Sequence, residues 1–171
     1  MGFNFKELSI LIVEDTEPMR KLVRAVLSTL GIGKIYTAPN GEIGYQRFCE
    51  TKPDIVITDW HMQPTNGIEL AQKIRKDIHS PRKQTPVIMM TGYSALPRIA
   101  HARDAGVTEF MVKPFSANDL ARRIAYAINK PRDFIETSDY FGPDRRRRAL
   151  PNYTGAEKRQ QETDGTFTVG G

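Results

Sequence analysis

Four short apolar runs in this chain each end on a residue able to do chemistry. Residues 8–13 lead into Glu14 and Asp15, residues 54–58 into Asp59, residues 86–90 into Thr91, and residues 108–112 into Lys113. A brief uncharged run rich in Val and Ile reads as a strand buried on both faces. Strands of that kind lie parallel, and their carboxyl ends then share one edge of the sheet, where ligands of open α/β sheets sit. Gathered at one edge, Glu14, Asp15 and Asp59 repel one another. At ~4 Å and an effective dielectric near 20, one such pair costs roughly 4 kcal/mol. The set therefore calls for a divalent cation. All-oxygen ligands point to magnesium, with manganese as the alternative. A metal site with one carboxylate left to attack is a phosphoryl-transfer arrangement. In it Asp59 is the nucleophile, the Lys113 ammonium offsets charge on the phosphoryl oxygens, and the Thr91 hydroxyl donates to the bound group.

The elements that must position these groups follow from periodicity. After the first strand, Thr16 caps a helix with Pro18 in its first turn. Its apolar stripe is Met19, Leu22, Val23, Val26, Leu27 and Leu30, and Gly31 ends it. Arg20, Lys21 and Arg24 fall on the solvent side. A second strand spans 34–38. Asn40 caps a helix through 51, with Ile43, Phe48 and Cys49 inward. A loop over 60–66 follows the third strand, then a helix over 67–78 with Ile68, Leu70 and Ile74 apolar. A helix over 95–105 stops at Gly106, and Ser116 or Asn118 opens a last helix with the stripe Leu120, Ile124, Ala127 and Ile128. Five strands alternating with five helices through short connections predict right-handed crossovers and a doubly wound parallel sheet with helices on both faces.

Composition narrows the class. The chain has 171 residues and a net charge of +5. Residues 1–130 hold 18 Lys/Arg against 13 Asp/Glu, and residues 131–171 hold 7 of each. That is no broad basic field, so nucleic acid is not the expected partner. The single cysteine, Cys49, excludes an internal disulfide framework and reads as a helix residue facing the core. No stretch approaches a membrane span, and no signal segment opens the chain, so no membrane partner is expected and the expected location is cytoplasmic. Beyond Lys130 the pattern is lost. Residues 131–171 read as a mostly disordered tail with an Arg145–Arg148 cluster, taken as a solvated run, and with Ile135 and Tyr140-Phe141 as its apolar anchors.

The residues at the strand ends resemble the response regulator receiver domain of two-component signalling, in its stand-alone form. The resemblance rests on Ile12-Val13-Glu14-Asp15, Thr58-Asp59-Trp60-His61-Met62, Met90-Thr91-Gly92 and Val112-Lys113-Pro114-Phe115, and it spans residues 6–130. It implies the flavodoxin-like five-stranded (βα)5 fold with strand order 2-1-3-4-5. It implies that Asp59 is phosphorylated from a histidine kinase or a histidine phosphotransfer protein. Asp15, Asp59 and the backbone carbonyl of His61 would hold magnesium directly, with Glu14 acting through water. Thr91 and Lys113 would contact the phosphoryl group, and Phe110 stands at the switch aromatic position. The fourth helix, fifth strand and fifth helix would then present a surface that a downstream protein target reads. Pro114 matches a cis-peptide site, and the first helix would help dock the histidine donor. Two departures are visible. Here Gln63 separates Met62 from Pro64, where the family has proline next to methionine. His61 and Tyr93, each two residues past a phosphoryl ligand, are bulky groups expected to slow hydrolysis of the acyl phosphate.

Other functions fit less well. The tail offers no recognisable output module, so protein contact is the expected output. An arginine-run DNA binder would need a folded, aromatic-bearing platform. An aspartate-nucleophile phosphatase needs a second aspartate two residues past the nucleophile, where His61 stands. No Gly-x-Gly-x-x-Gly follows the first strand, which removes a dinucleotide oxidoreductase. Trp60 reads as a partly exposed loop residue, and His61 as a loop imidazole facing solvent.

Overall fold

A computed structural model describes residues 4–92, 97–131 and 133–144. After a 3-10 turn at Phe5–Glu7, the elements run β1 (Ser9–Val13), α1 (Glu17–Thr29), β2 (Lys34–Ala38), α2 (Gly41–Thr51), β3 (Ile55–Asp59), α3 (Gly67–Lys76), β4 (Val87–Thr91), α4 (Ile99–Asp104), β5 (Glu109–Val112), α5 (Ala117–Asn129), β6 (Phe134–Glu136) and β7 (Phe141–Pro143). Strands β2-β1-β3-β4-β5 form one parallel sheet in that order. Each strand is short, and the sheet is covered on both faces, so alternate residues feed two separate cores. Leu11, Val13, Val56, Val87 and Met89 pack under α2, α3 and α4 with Phe48, Leu70, Ile74 and Ala102. Ile10, Ile12, Ile55, Ile57, Ile88 and Met90 pack under α1 and α5 with Val23, Leu27, Leu120 and Ile124.

Side-chain caps set the starts of α2, α3 and α5, whereas Thr16 stands at the start of α1 without a side-chain capping hydrogen bond. Asn40 Oδ1 accepts from the Ile43 amide at 2.9 Å. Asn66 with Glu69, and Ser116 with Asp119, form reciprocal capping boxes. Ser116, not Asn118, is thus the start of the last helix. Helix α3 ends at Lys76, two residues before the expected 78. There Asp77 turns the chain by accepting from the His79 amide at 2.8 Å, and Ile78 is left exposed. The start expected at 95 for α4 falls among residues 93–96, outside those described. Leu22 is exposed rather than part of the α1 core face, because it sits at the margin of the stripe that Val23 and Leu27 centre.

The chain does not lose structure at 131. Residues 134–136 and 141–143 pair antiparallel, and Tyr140 is buried. Ile135, Tyr140 and Phe141, the expected anchors, all belong to this hairpin, which packs β7 against α3. The Arg145–Arg148 cluster lies outside the described residues, as does Tyr93.

Candidate functional site

Sheet register brings the reactive strand ends together. Val13 pairs with Thr58, Asp59 with Met90, and Thr91 with Val112. One residue further along, the chain leaves the sheet and the side chains turn over its edge. Lys113 Nζ donates to Asp59 Oδ1 at 3.0 Å and lies 3.4 Å from Glu14 Oε1. Carboxylate oxygens of Glu14, Asp15 and Asp59 lie within 4.8 Å of one another. The Lys113 amide donates to the Thr91 carbonyl at 2.7 Å, which ties the ends of β4 and β5 to each other. Thr91 itself is buried, with its hydroxyl donating to the Gly92 carbonyl. The Lys113–Pro114 and Gln63–Pro64 peptides are both cis.

Asp59 is held from behind. The Gly67 amide donates to the Trp60 carbonyl at 2.9 Å, and a Cβ at Gly67 would collide with the Asp59 carbonyl oxygen. Only glycine lets α3 start this close to the nucleophile. The Asp59 carbonyl also accepts from the Thr58 hydroxyl at 2.9 Å.

Electrostatics follow from burial. Glu14 is 1% exposed, and its carboxyl is pushed up to about 7, first by burial and then by the Asp59 charge. Burial works against the Lys113 ammonium, but its hydrogen bond to Asp59 and the charges of Asp59 and Glu14 outweigh that, and its pKa is raised. One ammonium among three carboxylates leaves the group short of positive charge. Close, hard oxygen donors with a charge deficit are what a hard divalent cation fits, and Glu14, Asp15 and Asp59 are the side chains to hold it.

Other expected residues fall as follows. His61 is exposed and stacks on Trp60, with ring centroids 5.9 Å apart and planes 16° from parallel. Trp60 is not a partly exposed loop residue; it is 5% exposed and belongs to the core under α2 to α4, because the loop folds back over Met62 and Ile68. Phe110 is half-buried against that same core. Arg20 was placed on the solvent face by helical spacing. Instead it curls back, and its Nη1 donates to the Glu14 carbonyl at 2.8 Å. Its place in the first turn of α1, beside an acidic pair, was the signal that helical spacing alone passed over.

A parallel 2-1-3-4-5 sheet with an acid cluster and a lysine at its carboxyl edge defines a receiver. The family model for the response regulator receiver domain matches residues 10–125, and the chain belongs to that family. Among curated relatives, it is 35% identical over 119 residues to chemotaxis protein CheY-3 of Vibrio cholerae, covering 70% of this chain and 90% of that protein. It is 32% identical over 124 residues to chemotaxis protein CheY1 of Helicobacter pylori, covering 71% and 97%. Among solved structures, the receiver domain of NtrX from Brucella abortus aligns with a TM-score of 0.64 at 27% identity, covering 71% of this chain and 98% of that one. A response regulator receiver domain protein from Clostridium thermocellum aligns with a TM-score of 0.65 at 29% identity, covering 72% and 95%. The chain is thus a receiver of two-component phosphorelay signalling, a family of signalling phosphoacceptors. Receivers of this kind carry an acidic magnesium pocket and work between histidine kinases or phosphotransfer proteins and downstream targets. Among the described residues, no helix is long and apolar enough to cross a membrane.

Proposed function

We propose that Asp59 accepts a phosphoryl group from the phosphohistidine of a histidine kinase or a histidine phosphotransfer protein in the cytoplasm. An Asp59 carboxylate oxygen attacks phosphorus, the P–N bond to the donor imidazole breaks, and an acyl phosphate forms. Asp15, Asp59 and the His61 backbone carbonyl would hold magnesium, or manganese, with Glu14 acting through water. When bound, the cation neutralises charge on the transferring phosphoryl oxygens. Lys113 trades its bond with Asp59 Oδ1 for one with a phosphoryl oxygen. The Thr91 hydroxyl, which donates to the Gly92 carbonyl at 3.3 Å, turns to donate to another. The space Thr91 leaves beside β4 lets half-buried Phe110 turn inward, and the surface of α4, β5 and α5 changes for a downstream protein.

The observation that carries this reading is the 3.0 Å contact between Lys113 and Asp59, two residues 54 apart in sequence, with buried Glu14 against the same ammonium. Incubation with magnesium and acetyl phosphate tests it. Intact mass should rise by one phosphoryl group in the wild-type protein and stay unchanged in Asp59→Asn; an unmodified wild-type protein would refute the reading.

A further inference from the structure

The hairpin of β6 and β7 lies beyond the residues matched by the receiver family, at the pole of the sheet opposite Asp59. It is seated on Arg75, the last buried residue of α3, which is 1% exposed. The Phe134 ring lies over the Arg75 guanidinium, 4.9 Å from centroid to Cζ. Tyr140 is buried and closes the hairpin by donating to the Pro143 carbonyl at 2.8 Å. Gly142 comes so close to Gly106 that a side chain on it would meet the Gly106 Cα.

Beneath the hairpin, Arg75 is a clip between two strand entrances. It donates to the Lys83 and Thr85 carbonyls at 2.7 and 2.6 Å, just before β4. It donates to the Gly106 carbonyl at 3.0 Å and Thr108 Oγ1 at 3.1 Å, just before β5. Thr108 Oγ1 also accepts from the Val87 amide at 3.0 Å, so the two entrances share one hydrogen-bond network. The same two strands end on Thr91 and Lys113. Four residues of strand, roughly 13 Å, separate the clip from the site. Strands buried in packed cores shift as units rather than bend, so a change at one end is felt at the other.

We propose that the hairpin is a regulatory strap, whose docking on Arg75 and the phosphorylation of Asp59 oppose one another through β4 and β5. The proposal rests on the phosphoacceptor reading of Asp59. With the strap docked, Lys113 is engaged by Asp59 Oδ1 and the Thr91 hydroxyl by the Gly92 carbonyl, so docking goes with the arrangement in which both groups are turned to the protein rather than to a phosphoryl oxygen. Linkage makes the effect mutual: loosening the strap tightens binding at Asp59, and filling the Asp59 site loosens the strap.

Beryllofluoride, an acyl-phosphate mimic, provides an equilibrium test in saturating magnesium, read by the single tryptophan, Trp60, next to Asp59. Phe134→Ala in the full chain should bind beryllofluoride about fivefold more tightly than wild type, at the lower end of ordinary allosteric couplings. Beryllofluoride should in turn speed amide exchange over residues 134–143 of the wild-type chain. Should Phe134→Ala not fold, Tyr140→Phe makes the same comparison. A strap loosened by exchange criteria with affinity unchanged or weaker overturns the proposal, as does a lower Tm with unchanged affinity, the signature of a merely structural hairpin. Failure of the wild-type chain to bind beryllofluoride would strike the phosphoacceptor reading itself and this proposal with it.

Discussion

Glu14 titrates near neutrality because it is buried beside Asp59, and this sets the pH behaviour of the site. Its folded pKa is about 7 against an ordinary 4.5, so between those values the folded state holds a proton that the unfolded chain has lost. That stabilisation is full below pH 4.5 and is lost as pH rises through 7. The pKa difference corresponds to on the order of 3 kcal/mol. Without divalent cation, Tm should therefore fall from pH 5 to pH 7.5, and Glu14→Gln should flatten the slope. Magnesium should restore stability most at the upper end, where Glu14 is ionised; a calorimetric titration in buffers of different ionisation enthalpy reads the released proton. Lys113→Met removes the one ammonium that the described residues bring to the cluster. Acyl-phosphate formation should drop by roughly two orders of magnitude, as when a preorganised charge-stabilising group is lost, followed by intact mass against time. His61 stands over Trp60 at the mouth of the site. His61→Gly should shorten the lifetime of phospho-Asp59 by opening a path for water, measured on purified protein after removal of the donor.

At the scale of elements, the site depends on where α3 begins. Asn66 caps it through a box with Glu69, and Gly67 brings its first turn against the Asp59 carbonyl. Asn66→Ala should cost about 1 kcal/mol by urea unfolding, with little effect on phosphorylation. Gly67→Ala must push α3 or the end of β3 aside. It should cost about 2 kcal/mol and also slow acyl-phosphate formation, since the displaced carbonyl belongs to the nucleophile's own residue. Paired measurement of stability and phosphorylation separates a capping loss from a displaced nucleophile.

Over the whole molecule, two poles are tied to one sheet. The carboxyl edge holds the acid cluster. The opposite edge is closed by Arg75, whose guanidinium is lowered to about 9 by burial even with four hydrogen-bond acceptors around it. Arg75→Leu would strand the Thr85 and Gly106 carbonyls and remove the seat of Phe134. It should destabilise the protein by about 3 kcal/mol or more, visible in urea unfolding.

The five strands, their buried character and the convergence of Glu14, Asp15, Asp59 and Lys113 were legible in the sequence. Short apolar runs ending on polar groups have one economical solution, a parallel sheet with both faces covered. The Asn40 cap was readable because it acts within one turn, whereas the Asn66 box with Glu69 emerged only in the structure. Periodicity misplaces Leu22 and Arg20, and a loop position misplaces Trp60. Periodicity reports the facing of a residue within its own element, and says nothing of how a loop folds back or where a long side chain curls. The hairpin was legible only as three apolar residues in a polar stretch. Its seat is made by Arg75, Gly106 and Thr108, from segments distant in sequence, and such a surface exists only once the sheet has assembled.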